Sequence, residues 1–498
     1  MSDERTSLDP SDWEAFRATL HAAVDQLVDD MAAIRERPAW RPVPDEVKAA
    51  LQDPIPPDGE PLDATYARFR ELIEPYPTGN VHPRFFGWVH GGGSAAGVLA
   101  ELLAAGMNAN VGGREHAAAY VERAVVRWFA DLFGFPAAAS GILTSGTSMG
   151  NLLAVVAARD AALGQSARDA GIAGAQLTAY AAAGVHDSVG KAMAVAGLGR
   201  SALRETVVDA RRGIDVAALR ARIRADRAAG MQPFLIVATA GSVDAGAFDP
   251  IAALADLCAE ERLWLHVDGA FGALVVLSPA HAHLVRGIER ADSIAFDAHK
   301  WLQAPYATGC VLFRDEAAHR APFASAPAYL KRTERGTGAG APWYADYGIE
   351  LSREFRALKI WFILRHYGPA RLGATIARTC ALATLLGQAV ERAADVELLA
   401  PVQLNVVCFR VVRPGFDEAA LDRLNEAIAI AVQEGGTAVP STTRIDGRLA
   451  LRACIVNHRT RPDDLDVLLA AVREAAARSL PFPTPVAPPD TLAGPKGS

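Results

Sequence analysis

The segment DSIAFDAHKWLQAP, residues 292–305, puts an amine in an unusual place. Ser293 to Phe296 read as a buried strand, yet the run closes on Asp297, His299 and Lys300 before the large Trp301. A lysine at the mouth of a sheet is commonly a surface charge whose stem lies over apolar neighbours. Partly desolvated, the same lysine gives up its proton more readily and turns nucleophilic, able to form a Schiff base with an aldehyde cofactor such as pyridoxal phosphate, PLP. That chemistry makes three further demands: a carboxylate for the pyridinium nitrogen, a flat group against the ring and a cradle for the phosphate.

Each demand has a candidate. Asp268 in LHVDGAFG ends an apolar run one connection before Lys300. A carboxylate there would keep a ring nitrogen protonated, which makes the ring an electron sink; the plain alternative is a solvated strand end. His186 in AGVHDSVGKA offers an imidazole for stacking, or else a capping or core histidine. Residues 141–158, GILTSGTSMGNLLAVVAA, read as a Gly/Ser/Thr turn running into an apolar helix. Thr147 and Ser148 then present hydroxyls and N–H groups at a helix N-terminus, where the dipole favours an anion, unless they form an ordinary cap. The turn has neither GxGxxG nor GxxxxGK[ST], so dinucleotide and P-loop binding find no support.

These residues need a scaffold that brings them together. From about residue 80 to 330, apolar runs such as FLIVATAG, LWLHVDGA, SIAFDAHK and GCVLFRD alternate with helical stretches. That alternation predicts an α/β fold with a mainly parallel sheet covered by helices. Ligands in such folds sit at the carboxyl ends of the strands, and His186, Asp268 and Lys300 each close one of the runs. Residues 11–36 read as an amphipathic helix opened by Ser11, with Trp13, Phe16, Leu20, Val24 and Leu27 at helical spacing. Repeated prolines follow, so residues 1–77 are expected to be an arm with too little core to fold alone, lying on another surface. Residues 78–370 form the large domain on this reading, residues 371–480 a smaller C-terminal α+β domain, and 481–498 a Pro- and Gly-rich disordered tail.

Composition narrows the partners. The formal charge is −7 over 498 residues, and no general basic field exists for nucleic acid. The five cysteines are scattered and lack CxxC spacing, against both a disulfide framework and a zinc site. The polar, acidic start MSDERTSLDP is unlike a signal peptide, and no apolar stretch reaches the roughly 18 residues of a membrane span, so a cytoplasmic protein is expected. His281 and His283 in HAH have alternate spacing but no nearby carboxylate or cysteine, so no metal is expected. The HGGGSAAG stretch reads as a flexible pocket wall.

Taken in order, SGTSMGNL, VHDSVGKA, VATAGSVDAGAFDP, HVDGAFG, DAHKW and REFRALKIWF resemble the group II PLP-dependent amino acid decarboxylases, which include aromatic L-amino acid, glutamate and histidine decarboxylases. The resemblance runs from about Val81 to the end of the C-terminal domain. It implies the PLP-dependent aminotransferase-like fold (fold type I), with a seven-stranded type of sheet, and a homodimer with active sites near the interface. By resemblance Lys300 is the Schiff-base lysine, Asp268 meets the pyridinium nitrogen and His186 covers the ring face. Thr147, Ser148 and His299 fall in the phosphate region, Thr239 beside the cofactor and Ala270 under the ring. The pattern departs at Thr147, Gly150, Gly269 and Phe271, where many members have Gly, Ala, Ala and Trp respectively.

Reaction type turns on Tyr329 in APAYLKRTERGTGAGAPW, ahead of a Gly-rich stretch that reads as a mobile lid. The family's catalytic-loop tyrosine falls here, and members that make aldehydes often carry Phe. Tyr329 therefore predicts protonation of the α-carbon and an amine product. The matching pocket stretches, FFGWVHGGG and MNANVGG, supply Trp88, His90, Asn108 and Asn110, a mixed wall that favours an aromatic or imidazole amino acid, with an acidic one next. Two readings from other classes lack their signatures. A silent scaffold would have lost Lys300 or Asp268, and a nicotinamide enzyme would need GxGxxG.

Overall fold

The computed structural model describes residues 7–164, 166–172, 174–325, 332–340 and 342–478. Seven strands make the large sheet: β1 (Ser140–Thr144), β2 (Leu177–Ala182), β3 (Leu203–Thr206), β4 (Gln232–Thr239), β5 (Trp264–Asp268), β6 (Ser293–Asp297) and β7 (Gly309–Phe313). Their order is β1-β7-β6-β5-β4-β2-β3. Neighbours from β3 through β6 run parallel, while β7 runs antiparallel to both β6 and β1. Most of these strands are buried along their length, as expected when helices cover both faces of a parallel sheet. The register sets Thr239 beside Asp268, and Asp268 beside Ala295, two residues before the end of β6. One edge of the sheet therefore collects the functional strand ends.

An ion pair sealed from water fixes this edge. Arg353 donates to both carboxylate oxygens of Glu122, at 2.6 and 3.1 Å, and both side chains are 0% exposed. Arg353 also donates to the carbonyls of Leu143 and Val111, and Glu122 accepts the Leu143 N–H. The helix Ala117–Leu132, the end of β1 and the segment leading into the long helix Ala357–Glu391 are thus tied together. That long helix is broken by Gly368 and Pro369, since proline removes a backbone donor and clashes with the preceding turn.

A smaller antiparallel sheet follows, of β8 (Val396–Leu398), β9 (Val406–Val411), β10 (Ser441–Ile445) and β11 (Arg448–Cys454), in the order β10-β11-β9-β8. The helices Glu418–Glu434 and Pro462–Arg478 share its core. Phe86 is wholly buried in that same core; its N–H donates to the Val439 carbonyl and its carbonyl accepts from Cys454. The stretch around residue 86 therefore packs as part of the C-terminal sheet.

At the N-terminus the helix spans Trp13–Ala32 and is capped by Asp12, which accepts the N–H groups of Glu14 and Ala15; Ser11 is not the cap. The aspartate oxygen reaches both first-turn donors. No residue of this helix is buried, and Trp13, Leu20 and Leu27 are exposed. Further along, β1 replaces the first part of what reads in sequence as a turn. Among the described residues no helix is long and apolar enough to cross a membrane.

Three histidines are sealed inside this fold. His82, His266 and His319 are 1% exposed or less, and burial pushes them from the ordinary value of 6.5 down to about 4, about 4 and about 3. The unfolded chain binds their protons first as pH falls below about 6.5, so stability rises with pH across that window, by about 1.4 kcal/mol per unit for each ring. Asp249 works in the opposite sense, because burial lifts its carboxyl from 3.8 to about 6. The three rings outweigh the one carboxyl, so stability should rise with pH between about pH 5 and 6. Urea midpoints that fall steadily from pH 7 to 5 are expected; a flat profile would contradict these neutral buried rings.

Candidate functional site

A cavity of about 480 Å³ opens at the carboxyl edge of the large sheet. Lys300 reaches it three residues beyond β6, and its Nζ lies 3.0 Å from Asp297 Oδ2. The other oxygen of Asp297 accepts the backbone N–H of Thr147 at 2.7 Å, tying the end of β6 to the start of the helix Thr147–Leu163. His299 stands alongside, its Nδ1 within 3.0 Å of the Thr308 N–H and its ring 4.2 Å from the Tyr306 ring. Burial lowers the His299 pKa, and the adjacent Lys300 charge adds to the effect while Asp297 opposes it.

Asp268 closes β5 and is 4% exposed. Its Oδ2 accepts from Asn151 Nδ2 at 2.9 Å and its Oδ1 from the Ala270 N–H at 3.2 Å. A carboxylate has about four lone-pair positions, so capacity remains for a donor in the cavity. His186 caps the helix Asp187–Val195 through Nδ1 and still lines the cavity. The capping and cofactor-facing readings of His186 are thus compatible. Thr239 ends β4, where its N–H is held by Asp249, a carboxylate that also accepts the Ile214 N–H.

Thr147 and Thr239 share one further property. The Oγ1 of each is buried without a hydrogen-bond partner, and both residues line the cavity. A buried hydroxyl left unpaired is costly, so both fit a polar group bound in the cavity, and Thr147, at a helix N-terminus, fits an anionic one. Ser148 lies in the first turn of that helix. The departure at Gly150 also has a local cause: a Cβ there would stand 2.8 Å from the Cβ of Ala295 on β6.

Trp88 and His90 form one wall, their rings stacked with centroids 5.8 Å apart. Burial, followed by the charge of Lys300, lowers the His90 pKa. Gly91 and Gly92, directly after His90, are packed rather than loose, contrary to the expected flexible wall. A Cβ on Gly91 would sit 2.2 Å from the His299 carbonyl oxygen, and the Gly92 N–H donates to Gln303. Asn108 and Asn110 lie outside this cavity in the single chain, exposed, with Asn110 Oδ1 accepting from Gly112 and Arg353. Tyr329 falls outside the described residues. Sequence reading named Asp297 without giving it a role and passed over Asn151 and Asp249. Asn151 had a signal, since it lies four residues after Thr147 and so on the same helix face.

A seven-stranded mixed sheet of this order, with a lysine, a buried carboxylate and a histidine at its carboxyl edge, defines a fold type I pyridoxal phosphate enzyme. Residues 44–412 match the Pyridoxal-dependent decarboxylase conserved domain. The chain belongs to that family, and its chemistry is PLP-dependent removal of carbon dioxide from an amino acid. It is 33% identical over 480 residues to an aromatic-L-amino-acid decarboxylase of Bacillus atrophaeus, covering 94% of this chain and 97% of the relative. Tryptophan decarboxylase 1 of Oryza sativa subsp. japonica is 30% identical, over 91% of this chain and 92% of its own. The crystal structure of Oryza sativa TDC with PLP and tryptamine superposes with a TM-score of 0.87 at 28% identity, covering 95% of this chain and 100% of that one.

Proposed function

We propose that the enzyme decarboxylates an aromatic L-amino acid to the corresponding amine, with PLP held covalently on Lys300. The observation that carries this reading is the convergence of Lys300, Asp268 and His186 on one cavity with the two unpaired hydroxyls of Thr147 and Thr239. Asp268 would hold the ring nitrogen, and His186 and Ala270 would pack against the ring. Thr147, Ser148 and His299 would hold the phosphate, with Thr239 beside the ring. When bound, PLP supplies the electron sink for the bond that breaks as carbon dioxide leaves. The chain's own groups bind and orient the amino acid, keep water from it and return a proton to the α-carbon.

The walls favour an aromatic side chain. Trp88, Val89, Met149 and Phe271 give the cavity apolar faces, and among the described lining residues Lys300 is the one Lys or Arg. An acidic side chain would find no guanidinium there, whereas a flat ring can stack on Trp88. The relatives named above have aromatic decarboxylase names, which supports the same choice.

We also place this chain in a homodimer, in the cytoplasm. The uncovered apolar residues of the N-terminal helix and of the helix Ala95–Met107, including Leu99, Leu102 and Leu103, support a second subunit covering them. Asn108 and Asn110 follow that second helix, and we assign them to the interface. Light scattering that found a fully active monomer would remove the dimer.

Borohydride reduction of the holoenzyme, followed by peptide mapping, is expected to place the pyridoxyl group on Lys300. Its appearance on Lys191 or Lys359 would end the assignment. Lys300→Ala should purify without covalent cofactor and lose nearly all turnover, and wild type should turn over tryptophan, tyrosine or phenylalanine ahead of glutamate. Glutamate as the best substrate would overturn the aromatic reading.

Tyr329 we assign as the acid that protonates the α-carbon. Tyr329→Phe keeps the ring but loses the donor, at a typical cost of about 10²- to 10⁴-fold in that step. Oxygen can then compete, so the variant should release an aldehyde, ammonia and hydrogen peroxide in place of much of the amine. Product analysis with and without oxygen decides it; an unchanged amine yield and rate would exclude Tyr329 as the acid.

A further inference from the structure

Behind Asp268 and His186 runs a chain of buried hydrogen bonds with a fixed sense. At one end Trp264 Nε1–H donates to Ser293 Oγ at 2.9 Å, and that hydroxyl lies 2.9 Å from His266 Nδ1. The other ring nitrogen, Nε2, lies 2.9 Å from Asn151 Oδ1. Asn151 Nδ2 then spends its two hydrogens on Asp268 Oδ2, at 2.9 Å, and on Ser188 Oγ, at 3.0 Å. Ser188 Oγ in turn lies 2.8 Å from His186 Nδ1.

Donor-only groups at the two ends decide where the protons sit. At the His186 end, the backbone N–H of Ser188 points at His186 Nδ1 at 3.2 Å, so that nitrogen must accept. The Ser188 hydroxyl therefore donates to it and must itself accept from Asn151, which fixes the amide with Nδ2 toward Ser188 and Asp268. Asn151 Oδ1 then faces His266, and only an Nε2–H can satisfy it. At the Trp264 end, the indole N–H already occupies Ser293 Oγ as a donor. The Ser293 proton has His266 Nδ1 as its one acceptor among the described residues, so Nδ1 accepts and the proton of a neutral ring again sits on Nε2. Both ends give the same sense.

A flipped amide fails on charge. It would set Asn151 Oδ1 2.9 Å from Asp268 Oδ2, two acceptors face to face with no proton between them unless Asp268 were neutral. Burial also pushes His266 down to about 4, so the ring is uncharged at neutral pH.

We propose that His266 is a positioning residue of the cofactor site: as its Nε2–H tautomer it locks the Asn151 amide, and that amide pins the plane of the Asp268 carboxylate and leaves His186 protonated on Nε2. His186 thereby keeps an N–H with no partner among the described residues, on the side of its ring away from the cap. Ser293 and Trp264 set the His266 tautomer from behind. The effect on cofactor affinity rests on the reading that Asp268 meets the ring nitrogen of PLP; the tautomers do not.

Two measurements separate these parts. Long-range ¹H–¹⁵N correlation spectra of the full-length protein, labelled at histidine and recorded with and without PLP, should show His266 and His186 protonated on Nε2 and unprotonated on Nδ1. His266 should not titrate between pH 6 and 8. Comparing His266→Gln with His266→Phe then tests the relay, since glutamine can still offer an N–H to Asn151 and phenylalanine cannot. His266→Phe should weaken PLP binding by about 10- to 100-fold, the usual effect of losing a hydrogen bond in a charged network, and scramble the His186 tautomer, while His266→Gln stays close to wild type in both. Should the Phe variant fail to fold, Ser293→Ala removes the hydroxyl that holds Nδ1, and the His266 tautomer should become mixed with a severalfold rise in the PLP dissociation constant. A proton on Nδ1 of either histidine in wild type, or a Phe or Ala variant with wild-type tautomers and affinity, would overturn the proposal. Wild-type protein with these tautomers but no PLP binding would instead overturn the assignment of the cofactor site.

Discussion

A guanidinium and a carboxylate that never touch water hold the working edge of this enzyme in place. Removing one partner of such a pair leaves an uncompensated buried charge and typically costs about 3–5 kcal/mol, although the intact pair adds little net stability against an apolar replacement. The value of Arg353 and Glu122 therefore lies in specification. Between them they fix Leu143 through both its N–H and its carbonyl, and Leu143 is one residue from the end of β1. The chain that leaves β1 becomes, within three residues, the start of the helix that carries Thr147 and Asn151. A single geometry is imposed there because any shift would strand a charge.

The same device recurs at smaller scale around the cavity. Asp249 joins the Ile214 and Thr239 N–H groups, Asp268 joins Asn151 to Ala270, and Asp297 joins Thr147 to Lys300. Each carboxylate sits at or beyond a strand end, where the ladder stops and backbone donors come free. Acidic side chains thus replace the missing strand partners. The cavity keeps its shape through these links rather than through apolar packing alone.

That division explains what could be read from the sequence. The runs at β2, β4, β5, β6 and β7 are continuous and apolar, so they announce a buried parallel sheet, and the residues that close them are the ones that converge. Lys300, Asp268 and His186 were legible for this reason, whereas Thr239 was read only through the family resemblance. The edge strand β3, Leu203–Thr206, is four residues long and only partly buried, and β1 contains Gly141 and runs straight into a helix; neither has a distinctive pattern. Asn151 and Asp297 act by joining a helix to strands distant in sequence, and one-dimensional spacing carries no record of that contact. Asn108 and Asn110 show the reverse case. They sit in a stretch that matches pocket-forming segments, yet the chain's own fold carries them away from its cavity.

The Trp88 wall of the cavity is built partly by the C-terminal sheet. The backbone of Trp88 is held by the Ser441 hydroxyl and the Arg452 guanidinium, and Phe86, two residues earlier, is buried in the C-terminal core. Sequence order hides this, because more than 300 residues separate the two parts. Chimeras between relatives would therefore misfit if the crossover fell anywhere between residue 90 and β9, for the segment around Phe86 would come from one parent and the core that receives it from the other. Inheritance of side-chain preference follows the packing, so the N-terminal pocket segment and the C-terminal sheet should be exchanged together or not at all.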